Sequence, residues 1–335
     1  MAVKALRQSN FEVMRLMCML FIVIYHVFIH VVIPTAGNER IYAALITIFH
    51  IGVLDFVMIS GYFGIKHSWK TFSKLYGYTA FYSLLGVICK TTLGGGNFEF
   101  NDVLSVVFPF SHGVYWFMTT YFVLFLIAPY VDMALNRLDN KGMLVFIACM
   151  FYVVVVYGFI FKNGLGAGRS IIAFLLMYTI GRFLHQNESL IQKIPKRSLI
   201  CLITFIVLFL LITLLPKPYT NYVKGLTFPY NSPGLYIIAV LFFIIFIGWN
   251  FKSIYLNRMA SSTLAIYLLH ENRYIREIVI SFIKPFFLNN DVLFNILIAL
   301  ILSFMIYFLC ILIDQAIKTF MHLLSIFVSI CHSRN

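Results

Sequence analysis

The stretch FEVMRLMCMLFIVIYHVFIHVVI, residues 11–33, decides the fold. As an α-helix it would be about 34 Å long, which is enough to cross the roughly 30 Å of hydrocarbon in a bilayer. Most of its side chains are apolar, and the ionisable ones, Glu12, Arg15, His26 and His30, are spread along its length. This stretch therefore predicts a transmembrane helix.

The composition of the whole chain extends this prediction. Hydrophobic residues make up 61% of it and charged residues only 11%, whereas soluble domains carry about 25% charged residues. A soluble fold could not hide so much apolar surface. We predict an all-α integral membrane protein, a single domain over residues 1–335 with about ten transmembrane helices in a lipid bilayer. The predicted spans are 11–33, 42–64, 72–93, 113–131, 142–161, 168–185, 198–215, 233–250, 259–283 and 292–317.

The net charge of +13 is carried mainly by the loops between these spans. Lys and Arg are more frequent in the loops on the side of the N-terminus than in those on the opposite side, which is typical of cytoplasmic loops. We therefore predict that the N-terminus and the C-terminus both lie in the cytoplasm. A nucleic-acid-binding protein would carry its basic residues on one polar face, so we expect no nucleic-acid partner.

Residues 94–112, between the third and fourth predicted spans, do not have the pattern of a span. Three glycines at 94–96 favour flexibility, and the apolar stretch 103–110 is too short to cross a bilayer. Two interpretations remain open, a re-entrant or interfacial segment and a plain connecting loop.

Ionisable side chains at bilayer depth are costly, so they indicate candidate functional sites. The alternatives are structural: a topology anchor for Arg15, an interhelical hydrogen bond for His26 and an ion pair for Asp55. Arg15 and His26 are eleven residues apart, which places them on one face of a helix about 16 Å apart along its axis. Arg15 is therefore expected near the cytoplasmic edge and His26 near the middle of the membrane. A histidine at that depth is suited to proton transfer.

Other polar residues are predicted at a similar depth. Asp55 lies in the second span, and His270 and Glu271 lie in the ninth. The polar run in the ninth span must face the bundle interior or a water-filled cavity, and Arg273 and Glu277 can pair at i, i+4.

We therefore predict a polar core and a basic rim. The core comprises His26, Asp55, His270 and Glu271, and the cytoplasmic rim comprises Arg15, Lys70 and Lys74. A basic rim suits a phosphate-bearing ligand, which leads to the hypothesis that a phosphorylated cytoplasmic donor feeds chemistry inside the membrane. A proton-coupled transporter would use similar groups and remains an alternative.

Four motifs, in order, resemble those of the acyltransferase-3 family of membrane O-acyltransferases. They are residues 10–15 (NFEVMR) with His26 after ten further residues, residues 52–63 (GVLDFVMISGYF), residues 115–117 (YWF) with Tyr121 and Pro129, and residues 265–270 (AIYLLH). The resemblance runs from about residue 8 to residue 320, so it covers nearly the whole chain.

The resemblance implies a ten-helix domain in a bacterial plasma membrane that moves an acyl group, usually acetyl from cytoplasmic acetyl-CoA, to a sugar hydroxyl. At the matching positions, Arg15 would help to bind the donor, and His26 would be the catalytic histidine, as general base or transient acyl carrier. Ser60, Trp116, Tyr267 and His270 match further motif positions without an assigned role. We expect no permanently bound cofactor and no metal. Acetyl-CoA would be a substrate, and a polysaccharide or lipid-linked sugar would be the acceptor.

The sequence departs from the family pattern in three ways. Many members carry R-x-x-R after the second span, whereas this chain has Lys70 and Lys74 there. Asp55 stands where an apolar or small residue is common. Because no esterase-like domain follows the tenth predicted span, we expect transfer to be completed in the membrane domain or passed to a partner.

The main hypothesis is thus an acetyl-CoA-dependent O-acetyltransferase that acts on a surface or lipid-linked polysaccharide. The alternatives are a proton-coupled transporter or flippase of a lipid-linked saccharide, a membrane glycosyltransferase or polymerase, and a scaffold. A glycosyltransferase would need acidic residues and large outer loops, and the first outer loop offers only Glu39. A scaffold would not need an expensive polar core.

Overall fold

The computed structural model describes residues 8–32, 39–112, 115–213, 229–287 and 291–332. Within these ranges the chain is helical throughout, apart from its connections, and contains no β-strand. This agrees with the all-α class predicted from the sequence.

The helices follow one another along the described ranges. They are α1 (Ser9–Val31), α2 (Glu39–Phe49), α3 (Ile51–Phe63), α4 (Trp69–Thr92), α5 (Phe100–Val107), α6 (Trp116–Leu135), α7 (Asn140–Phe151, continued by a π-helix at Tyr152–Ile160), α8 (Ile171–Gln186), α9 (Glu188–Ile191), α10 (Pro195–Thr213), α11 (Pro233–Ile247), α12 (Ile254–Ala260), α13 (Thr263–His270), α14 (Arg273–Ile283) and α15 (Val292–His332). Short 3₁₀ turns lie at Gly166–Gly168 and Lys284–Phe287.

Five helices of the described ranges are long and apolar enough to cross a membrane. They are Ser9–Val31, Leu45–Phe63, Trp116–Leu135, Asn140–Ile160 and Val292–Phe327. Three further apolar helices, α8, α10 and α11, have shorter apolar stretches, and α4 is more polar because it carries Lys70, Lys74 and Lys90. The predictions of ten spans and of two cytoplasmic termini remain predictions.

The ninth predicted span, 259–283, is not one helix. It is divided into α12, α13 and α14, and the chain leaves the helical path at Glu271 and Asn272. The side chain of Asn272 accepts hydrogen bonds from the backbone N–H groups of Tyr274 and Ile275, which caps the start of α14. A break at bilayer depth is tolerated where the freed backbone groups are satisfied inside the protein.

Residues 94–112 turn back along α4. Near the end of α4, the ammonium group of Lys90 lies 2.9 Å from the carboxylate of Asp102. Tyr76 lies about 21 Å closer to the start of α4, and its hydroxyl donates to the carbonyl of Val107 at 2.9 Å. The ring of Phe110 then stacks on Phe122 of α6, with centroids 4.5 Å apart. Of the two interpretations left open by the sequence, this packing favours the re-entrant segment, and its insertion into a bilayer remains a prediction.

Helix α1 lies in the middle of the bundle and packs against α2, α3, α11, α12, α13, α14 and α15. Helices α3 and α8 pack closely against each other, and small residues make this approach possible. A Cβ on Gly61 would overlap the backbone of Tyr178, and a Cβ on Gly181 would overlap the carbonyl of Met58. The glycine of the motif at residues 60–62 therefore sets the spacing between α3 and α8.

Candidate active site

His26 and His270 face each other inside the bundle. Nδ1 of His26 lies 2.9 Å from Nε2 of His270, and Nδ1 of His270 lies 2.6 Å from the carbonyl oxygen of Ile266. Because a carbonyl can only accept, the proton of a neutral His270 belongs on Nδ1 and its Nε2 accepts from His26. The Nε2 atom of a neutral His26 then keeps its lone pair and can act as a base.

Glu271 joins this histidine pair to two further residues. Its carboxylate lies 3.2 Å from Nδ1 of His26 and 3.3 Å from Nε2 of His30, and it forms a close ion pair with Arg276. Glu271 is 9% exposed and His26 is 8% exposed. The break between α13 and α14 is what points Glu271 inward, so His26, His270 and Glu271 meet as one cluster.

A cavity of about 230 Å³ joins Arg15 to His26. Both residues line it from the same face of α1, as their spacing predicts, and Ser60, Trp116 and Tyr267 line its walls. We call this space the donor-side cavity. Arg15 is partly exposed, and its guanidinium lies 2.6 Å from the carboxylate of Glu12 and 5.8 Å from the ring centre of Phe63.

Two more tyrosines of the donor-side cavity were not identified from the sequence as site residues. Tyr121 shares a 3.1 Å hydrogen bond with Ser60, and Tyr230 is 4% exposed beside Trp116. The guanidinium of Arg169 lies 5.3 Å from the ring centre of Trp116. Tyr121 belongs to a matched motif, so the sequence carried a signal for it. Tyr230 lies in a predicted loop and Arg169 lies at the start of a predicted span, and neither carried a signal.

Three predicted site residues lie outside this arrangement. Asp55 is fully buried in α3, does not line the donor-side cavity, and its carboxylate has no hydrogen-bond partner among the described residues. Lys70 and Lys74 are exposed at the start of α4 and do not line the cavity either, although their neighbour Leu75 does. The prediction that Asp55 shares depth with His26 gave no contact between them, because depth does not determine which face of a helix a residue occupies.

A polar cavity of about 410 Å³ lies on the other side of the cluster. Glu271, Asn272 and Arg276 form its inner end, and Ser83 and Asn101 lie along its walls. We call this space the polar vestibule. Arg276 belongs to the polar run of the ninth predicted span, and in the structure it lines the vestibule and pairs with Glu271.

The cluster also has the donor atoms of a three-ligand metal site. One ligand atom each from His26, His270 and Glu271 lies within 4.8 Å of the others. Arg276, however, already places a positive charge on the same carboxylate, and the two histidines are linked by a direct hydrogen bond. This donor set suits a proton-transfer network better than a cation.

Comparison with known proteins supplies the family. Searches of curated proteins and of solved structures gave no significant match. The family model described as an acyltransferase domain matches residues 8–315, which is most of the chain and includes every residue of the cluster. The chain therefore belongs to the acyltransferase-3 family.

Proposed function

We propose that this protein is a membrane O-acetyltransferase that moves the acetyl group of acetyl-CoA to a hydroxyl of a surface or lipid-linked polysaccharide. The observation that carries the proposal is the donor-side cavity, which connects the cation Arg15 with a histidine whose free ring nitrogen is available as a base. Membership of an acyltransferase family supports the acyl-transfer class.

The donor would lie along the cavity. Arg15 is at one end, where its guanidinium can bind phosphate oxygens of the nucleotide part. The exposed ammonium groups of Lys70 and Lys74 are at the start of α4, whose Leu75 lines the same cavity, and they add positive charge on this side. The linear arm of the donor would then lie between α1 and α3 and bring the thioester to His26. The end of the bundle at Arg15 is the one that the Lys and Arg bias predicts to face the cytoplasm, where acetyl-CoA is made.

The chemical step follows from the tautomers of the neutral histidine pair, which leave Nε2 of His26 without a proton. As the acceptor oxygen attacks the thioester carbonyl, its proton passes to Nε2 of His26, and a tetrahedral intermediate forms. The intermediate collapses by breaking the C–S bond, and the sulfur leaves as a thiol after taking the proton back from His26. The carboxylate of Glu271 stabilises the transient positive charge on His26, because it lies 3.2 Å from Nδ1.

The acceptor would approach from the polar vestibule. The vestibule ends on Glu271 and Arg276 and is lined by hydroxyl, amide and charged side chains that can bind sugar hydroxyls. Donor and acceptor would thus approach the cluster of His26, His270 and Glu271 from two different cavities.

The transporter alternative is supported by one feature, the broken helix formed by α13 and α14. Broken helices that end at mid-membrane occur in secondary transporters, where they hold the substrate and the coupling ion. Release of the thiol from acetyl-CoA and transport of saccharide can be measured separately on the same vesicles.

The deciding experiment uses purified protein in liposomes, with acetyl-labelled acetyl-CoA on the Arg15 side and an envelope glycan fraction as acceptor. We expect thiol release and labelled glycan with the unmodified protein, and neither with His26→Ala. If His26→Ala, shown to be folded, turns over at the normal rate, His26 has no catalytic role. If neither protein releases thiol but the unmodified protein moves saccharide with protons, the transporter is correct.

A further inference from the structure

A second opening leads to the cluster from the side of the bundle. It is a cleft of about 150 Å³ between α1, α14 and α15. Its walls are the apolar side chains of these helices, for example Val27, Val279, Ile306 and Ile313. Leu309, at its margin, is 57% exposed on the outer surface of the bundle. We call this space the lateral cleft.

The inner end of the lateral cleft is bordered by ionisable residues, although carbon atoms form almost all of the surface of the cleft. His26, His30, His270 and Arg276 all border it there. His26 therefore borders both the donor-side cavity and the lateral cleft. A molecule held in the cleft reaches the same ring that the donor reaches from the other side.

Arg276 also borders two spaces. It lines the lateral cleft and also the polar vestibule, so one guanidinium stands where an apolar space and a polar space meet. Its Nη1 atom lies 3.5 Å from Nε2 of His30. Glu271 is the one carboxylate of this cluster and is shared by Arg276 and two histidines, so donor groups outnumber acceptors at the junction.

We propose that the lateral cleft and the polar vestibule together bind a saccharide linked to a lipid phosphate. The lipid chain lies in the lateral cleft, the phosphate lies at Arg276 and His30, and the sugar lies in the vestibule. This inference rests on the proposed function and narrows its acceptor to the lipid-linked class.

Each part of such an acceptor matches the chemistry of the space assigned to it. A hydrocarbon chain is stabilised by the apolar walls, which open directly to the lipid-facing surface. Phosphate oxygens are acceptors only, so they suit the arginine and histidine donors at the junction. The sugar hydroxyls meet Ser83, Asn101 and Asn272 in the vestibule. A water-soluble saccharide would leave the lateral cleft unused.

The test uses the full-length protein in nanodiscs and a farnesyl phosphate analogue that carries a diazirine in its isoprenoid chain. After irradiation, the modified peptides are mapped by mass spectrometry. We expect labelling of the cleft-facing residues of α14 and α15, competition by unlabelled farnesyl phosphate, and weak competition by phosphatidic acid. Labelling spread over all lipid-facing helices, or equal competition by phosphatidic acid, would show an ordinary bilayer surface and overturn the proposal.

Two tryptophan variants test the cleft itself. Val279→Trp fills the cleft, whereas Leu312→Trp adds the same ring on α15 at a side chain that is 66% exposed and does not line the cleft. We expect Val279→Trp to reduce cross-linking about tenfold or more, while Leu312→Trp leaves it unchanged. Equal effects of the two variants would contradict a specific site.

Transfer measurements keep this inference separate from the proposed function. The ratio of acetyl transfer to a polyprenyl-phosphate-linked saccharide over transfer to a soluble oligosaccharide should fall in Val279→Trp. An unchanged ratio would exclude the lateral cleft as the lipid site even though the protein is an acetyltransferase. An unmodified protein that cross-links in the cleft but releases no thiol with either acceptor would instead reject the acetyltransferase.

Discussion

His270 holds His26 in one tautomer, because its Nε2 atom lies 2.9 Å from Nδ1 of His26 while its own Nδ1 is committed to the carbonyl of Ile266 at 2.6 Å. The chain of hydrogen bonds runs in a single direction and ends on a carbonyl. As a result, Nε2 of His26 is the ring nitrogen that keeps its lone pair, on a side chain that lines the donor-side cavity.

His270→Phe should therefore lower kcat for acetyl transfer while leaving the KM for acetyl-CoA nearly unchanged. The loss should be smaller than the roughly 10²–10⁴-fold loss expected when the base itself is removed in His26→Ala. His270→Gln, which keeps an acceptor oxygen, should recover part of the rate and shift the pH–rate profile back toward that of the unmodified protein. Equal rates for Phe and Gln would show that His270 only fills space.

Arg15→Ala should raise the KM for acetyl-CoA, because a hydrogen bond to a charged group contributes about 1.5–3 kcal/mol, or roughly tenfold to a hundredfold in affinity. The matched control is Arg137→Ala, which removes an exposed arginine from the turn between α6 and α7. Steady-state kinetics with varied acetyl-CoA measure the effect. An unchanged KM in Arg15→Ala would place the donor elsewhere.

Gly61→Ala should destabilise the protein by about 1–3 kcal/mol, because the new methyl group would overlap the backbone of Tyr178, which cannot move aside as a side chain can. Gly77→Ala is the control, since a Cβ on Gly77 meets no atom within 4 Å. That variant should be neutral or stabilising by up to about 1 kcal/mol. Thermal unfolding in detergent compares them, and equal Tm changes would contradict the close α3–α8 contact.

Asp102 should make the attachment of residues 94–112 to α4 and α14 depend on pH. Burial raises the pKa of Asp102, but hydrogen bonds from Tyr274 and Lys90 outweigh it and hold the pKa below its usual range. A carboxyl group with a lowered pKa stabilises the folded protein above its unfolded value of about 3.9, and this stabilisation is lost as the pH falls through the folded pKa. Asp102→Asn should lower Tm at pH 7, and its Tm should converge with that of the unmodified protein in acid. A Tm difference that is constant with pH would contradict this.

The sequence predicted those features of the site that depend on local geometry. Arg15 and His26 share a face of α1 because helical periodicity fixes the angle between residues eleven positions apart. Glu271 could be identified because a carboxylate in an apolar run must face the bundle interior or a water-filled cavity. These arguments need no knowledge of neighbouring helices.

Features that depend on how helices meet could not be predicted in this way. The contact between His26 and His270 joins residues 244 positions apart, and spacing along the chain says nothing about it. Asp55 was expected at the depth of the polar core, yet it does not line the donor-side cavity. The ninth span was predicted as one helix, but the structure breaks it at Asn272. Capping and tertiary hydrogen bonds of Asn272 compensate there for the helical hydrogen bonds that are lost.

The hydrogen bonds of Asn272 bear on how the protein is made. Its amide group donates to the carbonyl of Tyr82 on α4 and to the hydroxyl of Tyr115, which lie 190 and 157 positions earlier in the chain. The ribosome has therefore completed both acceptors long before Asn272 emerges. The position of Glu271 is therefore shaped against partners that are synthesised first, so its carboxylate can be fixed inward only after Tyr82 and Tyr115 have been made.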